Sequence, residues 1–183
     1  MTPQIELLTA GAAGDEGLVE ALAQLINRAY AAGKDGLWVD DTLRTTATEV
    51  AELVGGGGML VARLDGEIVG CGCVRSLDAT TAELGFVCAS PEHQGNGVGR
   101  EIVRAAEELM RSRGVTTVQL LLLVPQGWVH PQKDRLRTWY TRLGYETVGT
   151  ATFEEVATDL ASQLATPCEF LVFRKALSGA LPP

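Results

Sequence analysis

The stretch SPEHQGNGVGREIVRAAEELM, Ser90 to Met110, decides the reading of this chain. Its three alternate glycines, Gly95, Gly97 and Gly99, run straight into apolar residues at helical spacing: Val98, Ile102, Ala105, Ala106, Leu109 and Met110. That spacing predicts an amphipathic helix from Gly97 to Arg113, with Gly114 just past its end. The first N–H groups of a helix have no intrahelical partner and lie at the positive end of the macrodipole, so such an entrance suits an anion. Glycine lets the backbone approach a phosphate closely.

Two phosphate-binding patterns fail against these residues. A dinucleotide fingerprint G-x-G-x-x-G counted from Gly95 meets Arg100 at its sixth position, and no acidic residue stands between Glu108 and Asp134 to hold a ribose. The hydrolase phosphate loop needs a Lys-Ser or Lys-Thr pair, which follows neither this cluster nor the tetraglycine Gly55 to Gly58. What remains is QGNGVG, Gln94 to Gly99, a Q/R-x-x-G-x-G pattern between a strand and a helix, with a plain tight turn as the competing reading.

Upstream, MLVARL (Met59 to Leu64) and IVGCGCVRSL (Ile68 to Leu77) are joined through Asp65-Gly66, a strong hairpin signal, and TAELGFVCA (Thr81 to Ala89) continues the meander. Strand alternation places Glu83, Gly85, Val87 and Ala89 on one face and Leu84, Phe86 and Cys88 on the other. Before these come a short strand, Ile5 to Ala10, and two helices, Asp15 to Gly33 and Thr42 to Val54. Downstream, Val115 to Val124 is a nearly continuous apolar strand, the pattern of a strand covered on both faces. A helix from Asp134 to Leu143 and strands near Thr147 to Phe153 and Cys168 to Arg174 follow, and SGALPP reads as a frayed tail. The order predicts a mixed α/β sheet with a strand–helix–strand unit in its middle.

Bulk properties narrow the class. The 183 residues suit one domain with a full core, and no apolar run approaches the roughly 20 residues of a bilayer span. No basic stretch followed by an apolar segment opens the chain, so a cytoplasmic protein without a membrane partner is expected. The net charge of −8 argues against a nucleic-acid partner and is compatible with a cationic substrate. Cys71, Cys73, Cys88 and Cys168 stand in apolar, strand-like settings of buried thiols; the CGC triplet lacks a second Cys or His pair, so no metal site is expected.

With its flanks, the glycine motif resembles that of the GNAT superfamily of acyl-CoA-dependent N-acyltransferases. AELGFVCASPEHQ (Ala82 to Gln94) looks like the family's fourth strand, and LRTWYTRLGYE (Leu136 to Glu146) is similar to its aromatic pair, polar turn and "GF" or "GY". The resemblance spans Met59 to Glu146 and implies an α/β fold with a GNAT-like mixed, mostly antiparallel central sheet flanked by helices, forming a single domain over residues 1–183.

It also implies roles. The backbone of Gln94, Gly95, Asn96, Gly97, Val98 and Gly99 would cradle the coenzyme A pyrophosphate, with Arg100 and Arg104 offsetting its charge or lying on an exposed helical face. An oxyanion donor is expected among the amides of Val87, Cys88 and Ala89. Glu83, eleven positions before Gln94, is the candidate general base, with a solvated strand residue as the alternative. Tyr140 is the candidate general acid, with packing beside Trp139 and Leu143 as its alternative, and Tyr145 is read as structural. Lys133 stands where many relatives carry an Asn that contacts the cofactor, which puts that contact in doubt and offers Trp128 and His130 as lining of the acceptor pocket. Ser90 and His93 lack a third orienting group for nucleophilic catalysis, so His93 is read as a surface residue.

The expected activity is N-acetyl transfer from acetyl-CoA to a primary amine, on a small molecule or a peptide, by direct attack in a ternary complex. A non-catalytic acyl-CoA-binding sensor is the alternative. The oligomeric state is left open, with a homodimer among the options.

Overall fold

The computed structural model describes residues 2–39 and 42–177, so SGALPP lies outside the described residues. The elements run β1 (Gln4–Leu7), α1 (Glu16–Ala31), α2 (Ala47–Gly55), β2 (Met59–Leu64), β3 (Glu67–Ser76), β4 (Thr81–Ala89), α3 (Val98–Ser112), β5 (Thr117–Pro125), α4 (Pro131–Arg142), β6 (Glu146–Thr152), α5 (Phe153–Ala157) and β7 (Cys168–Ala176). The sheet is mixed and mostly antiparallel with helices flanking it, the α/β class expected from the sequence. Among the described residues, no helix is long and apolar enough to cross a membrane.

The chain gathers into two compact units, residues 2–30, 43–118 and 177 in one, and 31–39, 42 and 119–176 in the other. In the first, β1, β2, β3 and β4 pair in order, each antiparallel to the next. The apolar stripe of α1, Val19, Leu22, Ala23, Leu25 and Ile26, packs with Val50 and Val54 of α2 onto Met59, Val61, Cys71, Cys73 and Cys88. Helix α1 opens under Asp15, whose carboxylate accepts the Leu18 amide at 3.0 Å, and α2 under Thr46, which accepts the Glu49 amide at 3.2 Å. With Thr46 as its cap, α2 starts later than the Thr42 expected from the sequence. A second cluster, Ala62, Val69, Val98 and Ile102, holds α3 on the strands.

Two glycines make that helix packing feasible. A Cβ on Gly70 would lie 2.6 Å from the Cys88 carbonyl oxygen and 2.8 Å from Val98 Cγ1, and one on Gly72 would lie 2.7 Å from Ile102 Cγ2. The stretch Gly70 to Cys73 therefore alternates glycines that admit α3 with cysteines that enter the α1 cluster.

In the second unit, β7 lies between β5 and β6, antiparallel to the latter. Its core gathers Leu37, Leu123, Phe153 and Cys168, with Trp38 edge-on to Phe153 at 5.8 Å and Phe170 stacked on Phe153 at 5.4 Å. Helix α4 begins at Pro131, three residues earlier than the Asp134 expected from the sequence. Pro131 occupies the first turn, where its missing N–H costs nothing, and the His130 ring caps it.

Candidate active site

β4 departs from regular alternation. Cys71 faces Cys88 and Cys73 faces Gly85, so three residues of β3 stand against four of β4, and Phe86 and Val87 together oppose Gly72. Phe86 carries the extra residue's strain at φ 54°, rare for an L side chain. The bulge overturns the faces expected downstream of it. Glu83, Gly85 and Cys88 share the side of the α1 cluster, where Phe86 also packs, whereas Val87 and Ala89 turn to the α3 side with Val98 and Ile102. Val87 and Ala89 therefore do not lie on the face of Glu83, because one inserted residue inverts the period of two.

Glu83 pairs with its cross-strand partner Arg75 at 2.8 Å, with 17% of its side chain exposed against 66% for the arginine. That pair fixes where the carboxylate points. It belongs to the first unit, and Tyr140 to the second.

The chain leaves β4 through Ser90, whose amide donates to the Val69 carbonyl at 2.8 Å, and makes a single tight turn over Pro91–His93. Ser90 Oγ and His93 Nδ1 are 2.8 Å apart, so His93 is not a free surface side chain but a brace of this turn. Gly95 and Gly97 then adopt φ of 82° and 85°, a region that L side chains enter at a cost of about 1–2 kcal/mol. Gly97 caps α3 without any side-chain acceptor.

Past it, the amides of Val98, Gly99 and Arg100 find no acceptor among the described residues, and the first helix bond is Glu101 N to Gly97 O at 3.1 Å. Val98 is buried and anchors the entrance, while Gln94, Gly95, Asn96 and Gly97 stay exposed. Arg100 is exposed and in no ion pair among the described residues. Arg104 instead bridges Glu101 at 3.0 Å and Glu108 at 2.7 Å along the exposed helix face. A diphosphate fits the loop: open amides, room for close approach and a neighbouring cation. Beside the loop lies a cavity of about 500 Å³ lined by Leu64, Asp65, Glu67, Val69, His93 and Asn96. Its two carboxylates make it a poor place for a phosphate.

In the second unit, Tyr140 is buried among Trp139 at 4.8 Å, Tyr145 at 6.0 Å and Phe173 at 6.0 Å between ring centroids. Tyr145 is fully buried, with the Lys175 ammonium 5.3 Å from its ring. His130 is buried, its Nδ1 accepting the Gln132 amide at 3.1 Å, which leaves the ring proton on Nε2. Trp128, 5.7 Å from that ring, stays 43% exposed. Lys133 is buried close enough to Cys168 to oppose the rise that burial imposes on that thiol.

All four cysteines are buried and free of disulfides. Cys71 and Cys88 approach to 3.6 Å between sulfurs; their hydrogen bond pushes the Cys88 thiol down and the Cys71 thiol up.

Known structures share this architecture. The chain is similar to Ard1 from Thermoplasma volcanium (14% identity, 98% of this chain and 100% of that one covered, TM-score 0.67). It is also similar to a ribosomal-protein-alanine N-acetyltransferase from Brucella melitensis (18%, 95% and 99%, 0.66). A third is yncA, a putative acetyltransferase from Salmonella typhimurium solved with acetyl-CoA (16%, 100% and 98%, 0.64). At such identities the likeness is one of fold. No curated protein matches the sequence. The model of the acetyltransferase (GNAT) family matches residues 19–145, more than half of the chain and all of the β4–loop–α3 site, and the protein therefore belongs to that family, whose general activity is acetyl-CoA-dependent acyl transfer.

Proposed function

We propose that the protein is an N-acetyltransferase that moves an acetyl group from acetyl-CoA to a primary amine by direct attack in a ternary complex. The observation that carries this reading is the entrance of α3, where three amides without acceptors among the described residues lie behind two glycines at positive φ. Gln94 to Gly99 would hold the coenzyme diphosphate there, with Arg100 offsetting its charge. Bound acetyl-CoA supplies an activated thioester.

The rest falls to side chains and backbone of this chain. Glu83, aimed by Arg75, receives the amine proton directly or through water, since a lysine-like amine must lose it before attack. A backbone N–H among Val87, Cys88 and Ala89, beside the bulge that takes a residue out of the ladder, donates to the charge that develops on the acyl oxygen. Tyr140 gives its phenolic proton to the leaving thiolate, a role open to a group still protonated at neutral pH.

Calorimetric titration with CoA and acetyl-CoA, followed by thiol release against a panel of amines, tests the reading. Saturable coenzyme binding and release with at least one amine are expected. No coenzyme uptake sinks the proposal, and uptake without release for any amine makes the protein an acyl-CoA-binding sensor.

A further inference from the structure

Arg44 stands out among the charged residues of the first unit. Its guanidinium carbon lies 4.1 Å from the ring centroid of Phe86 and 5.3 Å from that of Tyr30. Among the described residues no carboxylate pairs with it, although it is partly buried. A half-desolvated cation is costly without an anion, and ring faces compensate only part of that cost. Rings also cover the flat faces of a guanidinium, whereas its N–H donors radiate in the plane, in the fork geometry that matches a carboxylate. Burial holds the Tyr30 hydroxyl above its ordinary value, so it stays neutral and does not discharge the arginine.

The backbone under Arg44 is fixed in advance. Asn27 Oδ1 accepts the amides of Arg44 at 2.7 Å and Thr45 at 3.1 Å, and its Nδ2 donates to the Thr45 carbonyl at 2.9 Å. The Thr45 hydroxyl occupies Glu49, donating at 2.7 Å, which commits that carboxylate to the loop. The position matters as much as the pinning. Phe86 is the strained residue of the β4 bulge, and it packs on the α1 side of the strands, the side that Glu83 shares. A base for an amine and a cation with no carboxylate partner among the described residues thus border one face of one strand.

We propose that Arg44 determines acceptor specificity by gripping the carboxylate of an amino-acid-type acceptor, whose amino group turns toward Glu83. This rests on the acetyltransferase reading. With a net charge of −8, the protein's overall field does not attract carboxylates, so selecting one requires a local cation of this kind.

The test uses the full chain. The twenty proteinogenic amino acids and their α-carboxamides are titrated by calorimetry into the protein saturated with CoA, and assayed for thiol release with acetyl-CoA. At least one acid is expected to bind and turn over about tenfold or more better than its amide. Arg44→Gln raises Kd and KM for that acid about ten- to a hundredfold, the worth of a charged hydrogen-bonded pair, and leaves the amide and coenzyme affinity unchanged. Arg44→Lys recovers part of the loss. The proposal is overturned if acids bind no better than amides, or if Arg44→Gln weakens acid, amide and coenzyme alike, which marks Arg44 as a staple between Tyr30 and Phe86. Acids that bind through Arg44 without any thiol release leave the carboxylate site standing and refute the transferase.

Discussion

At the scale of single residues, Gly97 and the two candidate proton carriers make separable demands. Gly97 meets nothing within 4 Å of a built Cβ, so a side chain there is opposed by its φ of 85° and not by a clash. Gly97→Val should cost about 1–2 kcal/mol of stability or more, being β-branched, and should weaken coenzyme binding at least tenfold by pulling the amides of Val98 and Gly99 out of line. Calorimetry beside a thermal melt checks this, and undiminished coenzyme affinity would remove the loop from the site. Glu83→Gln keeps the shape of the side chain but loses its basicity. If Glu83 is the base, kcat falls by about 10²–10⁴ with coenzyme affinity intact, and the loss shrinks as pH rises toward the pKa of the amine, where free amine no longer needs a base. Tyr140→Phe keeps the contacts with Trp139, Tyr145 and Phe173 and removes only the hydroxyl. A similar fall in kcat is expected, and an unchanged rate would return Tyr140 to the aromatic core.

Among the elements, the seat of α3 on β3 links fold to site. A Cβ at Gly72 would meet Ile102 Cγ2 at 2.7 Å, and the strain of such overpacking is about 1–3 kcal/mol. Gly72→Ala should lower the melting temperature and also weaken coenzyme binding, because the displaced helix carries the open amides at its start. Gly149 in β6 meets nothing within 4 Å and has no positive φ, so Gly149→Ala should change neither quantity. Equal effects of the two substitutions would refute a specific role for the seat. These elements also show what a sequence discloses. The hairpin at Asp65-Gly66, the apolar stripe of α3 and the glycine loop were legible because turn chemistry and helical period are local. The bulge at Phe86 was not, since any residue of an apolar strand can take the extra place, and it misplaced Val87 and Ala89. In the stretch Gly70 to Cys73 the cysteines are the conspicuous residues, whereas the glycines set the helix approach. Helix α5, with five residues, is too short for a period, and Arg44 belongs to no motif at all.

For the molecule as a whole, the cysteines report on how it comes apart. Cys71, Cys73 and Cys88 lie in the first unit and Cys168 in the second, all buried. Burial pushes Cys73 up to about 11, against the pull of Arg75, so it is a protonated, poor nucleophile at neutral pH. The Cys88 thiol is pushed down by the bond from Cys71, yet a reagent reaches it only after the strands open. An aromatic disulfide reagent should therefore modify almost none of the four thiols of the native protein within minutes, which also keeps the background of the thiol-release assay low. With rising denaturant, the single domain expected from the sequence predicts that all four become reactive in one transition, coincident with the loss of helical circular dichroism. Three thiols reacting at one denaturant concentration and the fourth at another would show that the units melt separately, and that stability must then be assigned to each unit on its own.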